Sequence, residues 1–145
     1  MASIDIRISP TLLQSIVQEY FMSKPIYLGL ITSANKINPN LIETAAESFV
    51  LAEYNSGSWV RPSLIISSPG SFNTGQKQWD FPPSGEWSFV GPVGGITIEQ
   101  VVITIGGTSA PRNVSGVIIG VGTYLTPLVV GAGVTQVIEA PWSIR

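Results

Sequence analysis

The amino-acid sequence predicts a mainly β protein, a single-domain β-sandwich or jelly-roll-like fold with one N-terminal helix and a second short helix. Three observations predict it. Short apolar runs rich in valine and isoleucine recur along the chain, and glycine and proline punctuate them. Roughly eight such runs lie between turn signals, the pattern of an all-β sandwich or barrel. Against this, the segment near the N-terminus carries the clearest 3.6-residue apolar period. With 145 residues the chain is read as one domain, 1–145, with a strand and helix over 1–24 and the sandwich over 25–145.

Residues 3–8 alternate, with Ile4, Ile6 and Ile8 apolar and Asp5 and Arg7 charged, which predicts a short half-buried strand. Ser9 followed by Pro10 is a helix start, a capping hydroxyl before a ring that suits the first helical position. Leu12, Leu13, Ile16, Val17, Tyr20 and Phe21 then share one helical face. Pro25 ends the helix, because the residue before a proline avoids helical dihedrals. Residues 26–32 are almost wholly apolar and read as a central strand. Asn38-Pro39 repeats the start signal, and Leu41, Ile42, Ala45, Ala46 and Phe49 at helical spacing predict the second helix. Extended structure is expected to resume near Val50.

Residues 55–58 form a turn, 59–66 a strand whose Pro62 marks an edge or bulge, and 67–75 a loop. Gln78 to Phe81 reads as a short strand ended by Pro82-Pro83, and Trp87 and Phe89 alternate with polar neighbours in the next. The segment Ile96, Ile98, Val101, Ile103, Ile105 is the strongest β signal, with Glu99-Gln100 as a possible bulge. Residues 114–125 and 128–138 are expected as two further long strands, before Trp142 and Ile144 close the chain.

Composition narrows the function. There is no histidine and no cysteine, so the usual triads, thiol nucleophiles and zinc sites are excluded. A carboxylate pair could still act. However, Glu43 and Glu47 read as a solvated helix face, and Asp80 and Glu86 flank the Pro-Pro turn at an undefined separation. The glycine pairs Gly94-Gly95 and Gly106-Gly107 belong to no phosphate-binding motif and read as turns. No catalytic, cofactor or metal residue is expected, and the protein is read as not an enzyme. The seven basic residues are scattered, which argues against nucleic acid. The uncharged run 113–138 is long enough to span a bilayer, but Pro127 and repeated glycines break it, so no membrane segment is expected. No basic segment with an apolar signal core stands at the start.

Only 11% of residues are charged, well below the ordinary share of about 25%. A charge-poor surface invites association, so a homo- or hetero-oligomer is expected. Trp59, Trp79, Trp87 and Trp142 fit core or interface packing, or alternatively a sugar-stacking surface. The residues read as interface candidates are Trp59, Trp87, Ile96, Ile98, Val101, Ile103 and Trp142. Ile96 to Ile105 is expected to be paired within the sheet or covered by a neighbouring subunit, since it would be an aggregation hazard on a free edge.

The order of segments resembles small structural proteins of tailed bacteriophages. The resemblance rests on Tyr27-Leu28-Gly29-Leu30-Ile31-Thr32 and Gly57-Ser58-Trp59-Val60-Arg61-Pro62. It adds a tryptophan in an extended stretch near Trp79 or Trp87, and the glycine-rich apolar pair 116–127 and 129–138. The segment 41–50 departs from that pattern. The resemblance implies a virion component, most simply a capsid cement or decoration protein on the head surface. Its partners would be the major capsid protein or neighbouring virion subunits, and by analogy it would be a trimer. It leaves open a tail adaptor or fibre-attachment protein, or a carbohydrate-binding module on the virion.

Overall fold

The computed structural model describes residues 3–4, 8–80, 86–139 and 143–144. With 38% strand against 19% helix it is mainly β, and a β-sandwich-like single domain fits it. The strands are β1 (Ile26–Thr32), β2 (Ser63–Leu64), β3 (Ser71–Asn73), β4 (Gln78–Asp80), β5 (Glu86–Val90), β6 (Ile96–Ile105), β7 (Val117–Val130), β8 (Thr135–Glu139) and β9 (Ser143–Ile144). They form an antiparallel sheet of order β2-β1-β6-β7, a smaller sheet β3-β4-β9, and the pair β5-β8.

β6 organises the molecule, and its sequence shows why. Ile96 and Ile98 occupy even positions, whereas Val101, Ile103 and Ile105 occupy odd ones. Against β1, Ile31 pairs with Gln100 and Thr32 with Ile98, so Glu99 is one extra residue in β6, and it brings both sets onto the same face. That face meets Leu13, Val17, Ile26, Leu28, Leu30, Trp79, Trp87 and Phe89 in the main core. The opposite face carries Gln100, Val102 and Thr104, also buried. There Val102 joins Ile31, Phe49 and Val50 in a second cluster. β6 is therefore paired on both edges and covered on both faces, the pairing within the sheet that its aggregation-prone pattern requires.

The N-terminal helix starts as its cap signals. α1 (Pro10–Ile16) has the Ser9 hydroxyl accepting from the Leu12 amide at 3.2 Å. The next turn widens, with the Met22 amide donating to the Val17 carbonyl. Ser23 then closes it against the carbonyls of Glu19 and Tyr20. Leu13 and Val17 are buried, but Leu12 is half exposed, so the buried stripe is narrower than its apolar pattern.

Five local expectations need correction. The residue 3–8 strand lies partly outside the described residues, and Ile4 and Ile8, which are described, are exposed and not in a strand. The single helix expected from Leu41 splits into a 3-10 segment, Pro39–Glu43, and α2 (Glu47–Leu51). Thr44 leaves helical dihedrals at φ −122°, which lets Phe49 and Val50 turn onto Ile31 and Val102. Because α2 runs on to Leu51, extended structure does not resume at Val50. Within 59–66 only Ser63–Leu64 forms a strand, an edge as Pro62 foretells, and the loop at 67–75 contains β3.

The remaining correction matters most for function. Two long strands were expected after residue 113. Instead β7 runs 14 residues straight through Pro127, and a short β8 follows. An edge strand tolerates proline because one side of it carries no ladder bonds. Pairing also passes from Gln100↔Thr123 to Ile98↔Leu128, so residues 124–127 bulge away from β6.

Candidate assembly surface

Among the described residues β7 has β6 on one edge and no strand on the other. No residue from Val117 to Val130 is charged. Edge strands elsewhere are commonly blunted by lysine, proline or a bulge. Here Pro127 and the 124–127 bulge blunt the second half, but 117–123 has no proline. Val117 (55%), Leu125 (104%) and Val129 (72%) stand out of this strand into solvent.

More apolar side chains gather where two turns meet. The Gly91 amide donates to the Val134 carbonyl at 2.8 Å, and the Gly133 amide returns to the Gly91 carbonyl at 3.0 Å. A Cβ on Gly91 would lie 2.0 Å from the Gly131 carbonyl oxygen, so glycine is what allows the two turns to touch. Around this junction Val90, Val93, Val129, Val134 and Val137 are all exposed. The β5-β8 ladder explains the last of them: Trp87 and Phe89 point inward, so Val90 and, on the paired strand, Val137 must point out.

Beside that junction lies an open cleft of about 590 Å³ between residues 54–62 and 88–93. Trp59 forms one wall, packed edge-on against Tyr54 and Phe89 with ring centroids 5.6 Å from each. Its Nε1 is the one buried side-chain polar atom without a hydrogen-bond partner among the described residues.

The cleft's floor rests on a polar cluster that sequence reading missed. Glu53 and Arg61 are both fully buried, paired through two hydrogen bonds: Nε to Oε2 at 2.9 Å and Nη2 to Oε1 at 2.5 Å. The remaining guanidinium donors reach Thr104 Oγ1 and the carbonyls of Thr108 and Asn113. The Arg61 amide donates to Ser109, and Arg112 Nε to the Glu53 carbonyl. One side chain thus ties the segment after α2, the strand β6 and the loop before β7 together. Burial pushes the Glu53 carboxyl above its ordinary value, and the guanidinium beside it only partly offsets that. Gly29 makes the space, because a Cβ there would lie 2.4 Å from the Glu53 carboxyl carbon. Gln100 plays a similar part nearby. It accepts from the Ile37 amide at 2.9 Å and donates to the Ile37 carbonyl at 2.6 Å, which docks that segment on the sheet.

The residues expected at an interface divide. Trp87 is buried and donates from Nε1 to the Ile26 carbonyl at 2.9 Å. Ile96, Ile98 and Val101 are buried as well, committed to this chain's own core. Their apolar character answers an internal demand, so they have almost no surface to offer a partner. Trp59 and Ile103 are partly buried, and Trp142 lies outside the described residues. The surface that is open belongs instead to the valines and Leu125 described above. The alternation inside β5 and β8 could have pointed to Val90 and Val137; no local signal marks β7 as an edge.

As for chemistry, the Asp80 carboxylate accepts from Asn73 Nδ2 at 3.0 Å and Gln78 Nε2 at 2.6 Å, and these bonds hold its pKa below the ordinary value. Glu86 stands in a different sheet, opposite Glu139. Among the described residues no group of three or more acidic, histidine or cysteine side chains could hold a metal ion. Nor is any described helix long and apolar enough to cross a membrane. Set beside protein-family models, curated proteins and solved structures, the chain matches none of them.

Proposed function

We propose that this chain is a non-enzymatic structural subunit of a tailed-phage virion, a capsid cement or decoration protein that binds the major capsid protein between capsomers. The observation that carries the reading is the exposed apolar set around the 91–95 and 131–134 turns, Val90, Val93, Val129, Val134 and Val137, on a surface with few charges. Contiguous apolar groups rimmed by polar ones mark interaction sites. A subunit repeated over a shell gains avidity from many modest contacts of this kind. The segment order, with Leu28-Gly29-Leu30 and Trp59-Val60-Arg61, supports the phage assignment.

The test is binding to expanded phage heads, read by co-sedimentation and by locating the added density. Density between capsomers, lost in a Val93→Lys, Val129→Lys double variant that still folds, is the expected result. Binding to tails alone would move the assignment to a tail adaptor, and binding to neither would end the virion reading.

A further inference from the structure

The free half of β7 contains a residue that the chain's own fold does not require. Gly120 is not in the left-handed region, and a Cβ placed on it would meet no atom within 4 Å. Glycine inside a strand weakens it and often marks the close approach of another backbone. Gly122, two residues on, leaves the same face low, with Val101 Cγ2 lying 3.1 Å from where its Cβ would be.

The faces of β7 follow from its ladder. Ile105 pairs with Val117, Ile103 with Gly120 and Val101 with Gly122, and all three β6 residues belong to the main core. Thr104 pairs with Ile118, so Ile119 is the extra residue of a bulge, and it too packs on the main core. Ile118 and Val121 pack on the second cluster. Along β7, then, Val117, Ile119, Gly120 and Gly122 share one face, and Ile118 and Val121 the other.

We propose that this edge pairs with the same edge of a second copy, antiparallel, about a two-fold axis between Ile119 and Gly120. That register sets like faces together throughout. Ile119 stands opposite Gly120 of the second copy, Val117 opposite its Gly122, and Ile118 opposite its Val121. The open space at Gly120 thus receives the branched Ile119 side chain of the other copy. Centring the axis on Gly120 itself would instead set opposite faces against each other. The neutrality of β7 favours a second copy: two identical uncharged edges meet no like charge, and a partner selected by charge would find nothing to select it. Continued outward, the register brings Leu125, 104% exposed, towards Val114 of the second copy, 47% exposed. Two four-stranded sheets become one of eight strands. An isologous contact of this kind builds even-numbered assemblies, in contrast to the trimer implied by the phage resemblance. It does not depend on the virion reading, which rests on the turns at the other end of β7.

Gly120→Val provides a sharp test. The fold has room for the side chain, and a branched residue suits a strand, so the thermal midpoint of the monomer should hold or rise. In the pair, however, it takes the space that Ile119 of the second copy fills. Sedimentation equilibrium of the full chain should show a monomer–dimer equilibrium weakened at least about tenfold by Gly120→Val. Val117→Lys should weaken it similarly, and Val129→Lys, outside the pairing, should leave it unchanged. Were Gly120→Val to misfold by circular dichroism, Val117→Lys against Val129→Lys decides. A wild-type chain that stays monomeric to about 100 μM, forms trimers, or dimerises equally well in the folded β7 variants overturns the proposal.

Discussion

Replacing Arg61 with methionine should destabilise this protein more than its volume change alone implies. The substitution keeps a long flexible chain but removes all five donors. Both Glu53 oxygens lose their partner, as do Thr104 Oγ1 and the carbonyls of Thr108 and Asn113. Because Glu53 is 0% exposed, water cannot replace them without opening the loop before β7. Breaking one side of a buried ion pair typically costs about 3–5 kcal/mol, a large share of the roughly 5–15 kcal/mol that holds an ordinary domain folded. The melting midpoint should fall by roughly 10–15 °C. Substituting both partners with apolar residues, Glu53→Leu with Arg61→Met, removes the orphaned charge and should recover most of the loss. The pH dependence adds a signed check. Glu53 already titrates above its ordinary value through burial, and losing Arg61 raises it further. A carboxyl with a raised folded-state pKa takes up its proton in the folded chain first. The Arg61→Met deficit should therefore be largest at about pH 7.5 and shrink towards about pH 5. Urea unfolding of both variants at those two pH values measures all of this. A single-variant loss below about 1 kcal/mol, or a double variant no better than the single, would refute the account of this cluster as a buried, fully paired staple.

Three smaller effects follow from the same structure. Gly29→Ala places a Cβ 2.4 Å from the Glu53 carboxyl carbon in a packed interior, and should cost about 1–3 kcal/mol in urea unfolding, with less loss when Glu53 is also shortened. Ser9→Ala removes the hydroxyl that accepts from the Leu12 amide and should cost about 1 kcal/mol, whereas Ser9→Asp should retain most of it. Asp80 is held below its ordinary pKa by Asn73 and then Gln78, so its stabilisation is complete above the unfolded-state value and lost as pH falls through the folded one. Thermal melts from neutral to acid pH should thus converge for wild type and Asp80→Asn, and a constant gap would count against the carboxylate's role.

The parts of the fold that were legible in the sequence are those set by local periodicity. β6 is the clearest instance. The shift from even to odd isoleucine and valine positions at Glu99-Gln100 is itself the bulge against β1, because a two-residue period can change faces only by an extra residue. Ser9-Pro10 marks the helix start for an equally local reason. By contrast, Pro127 and the surrounding glycines look like a boundary between two strands. Whether a proline ends a strand depends on which edge is free, a property of the sheet rather than of the segment. The interface candidates show the same limit: Ile96, Ile98 and Val101 are apolar because β1, β5 and α1 cover them, not because a partner does.

Composition and period are carried by neighbouring residues, and they suffice to mark a mainly β chain with one clear N-terminal helix and little charge. Which uncharged strand is left at the edge depends on how the strands are ordered in space. Strand order assigned that place to β7 and put β6 inside. It also brought Glu53, Arg61 and Gly29 together, residues whose burial requires segments far apart in the chain to close around them. The shortage of charge is general to the sequence, whereas the outer edge of β7 and the exposed valines around the turns it runs into are products of strand order.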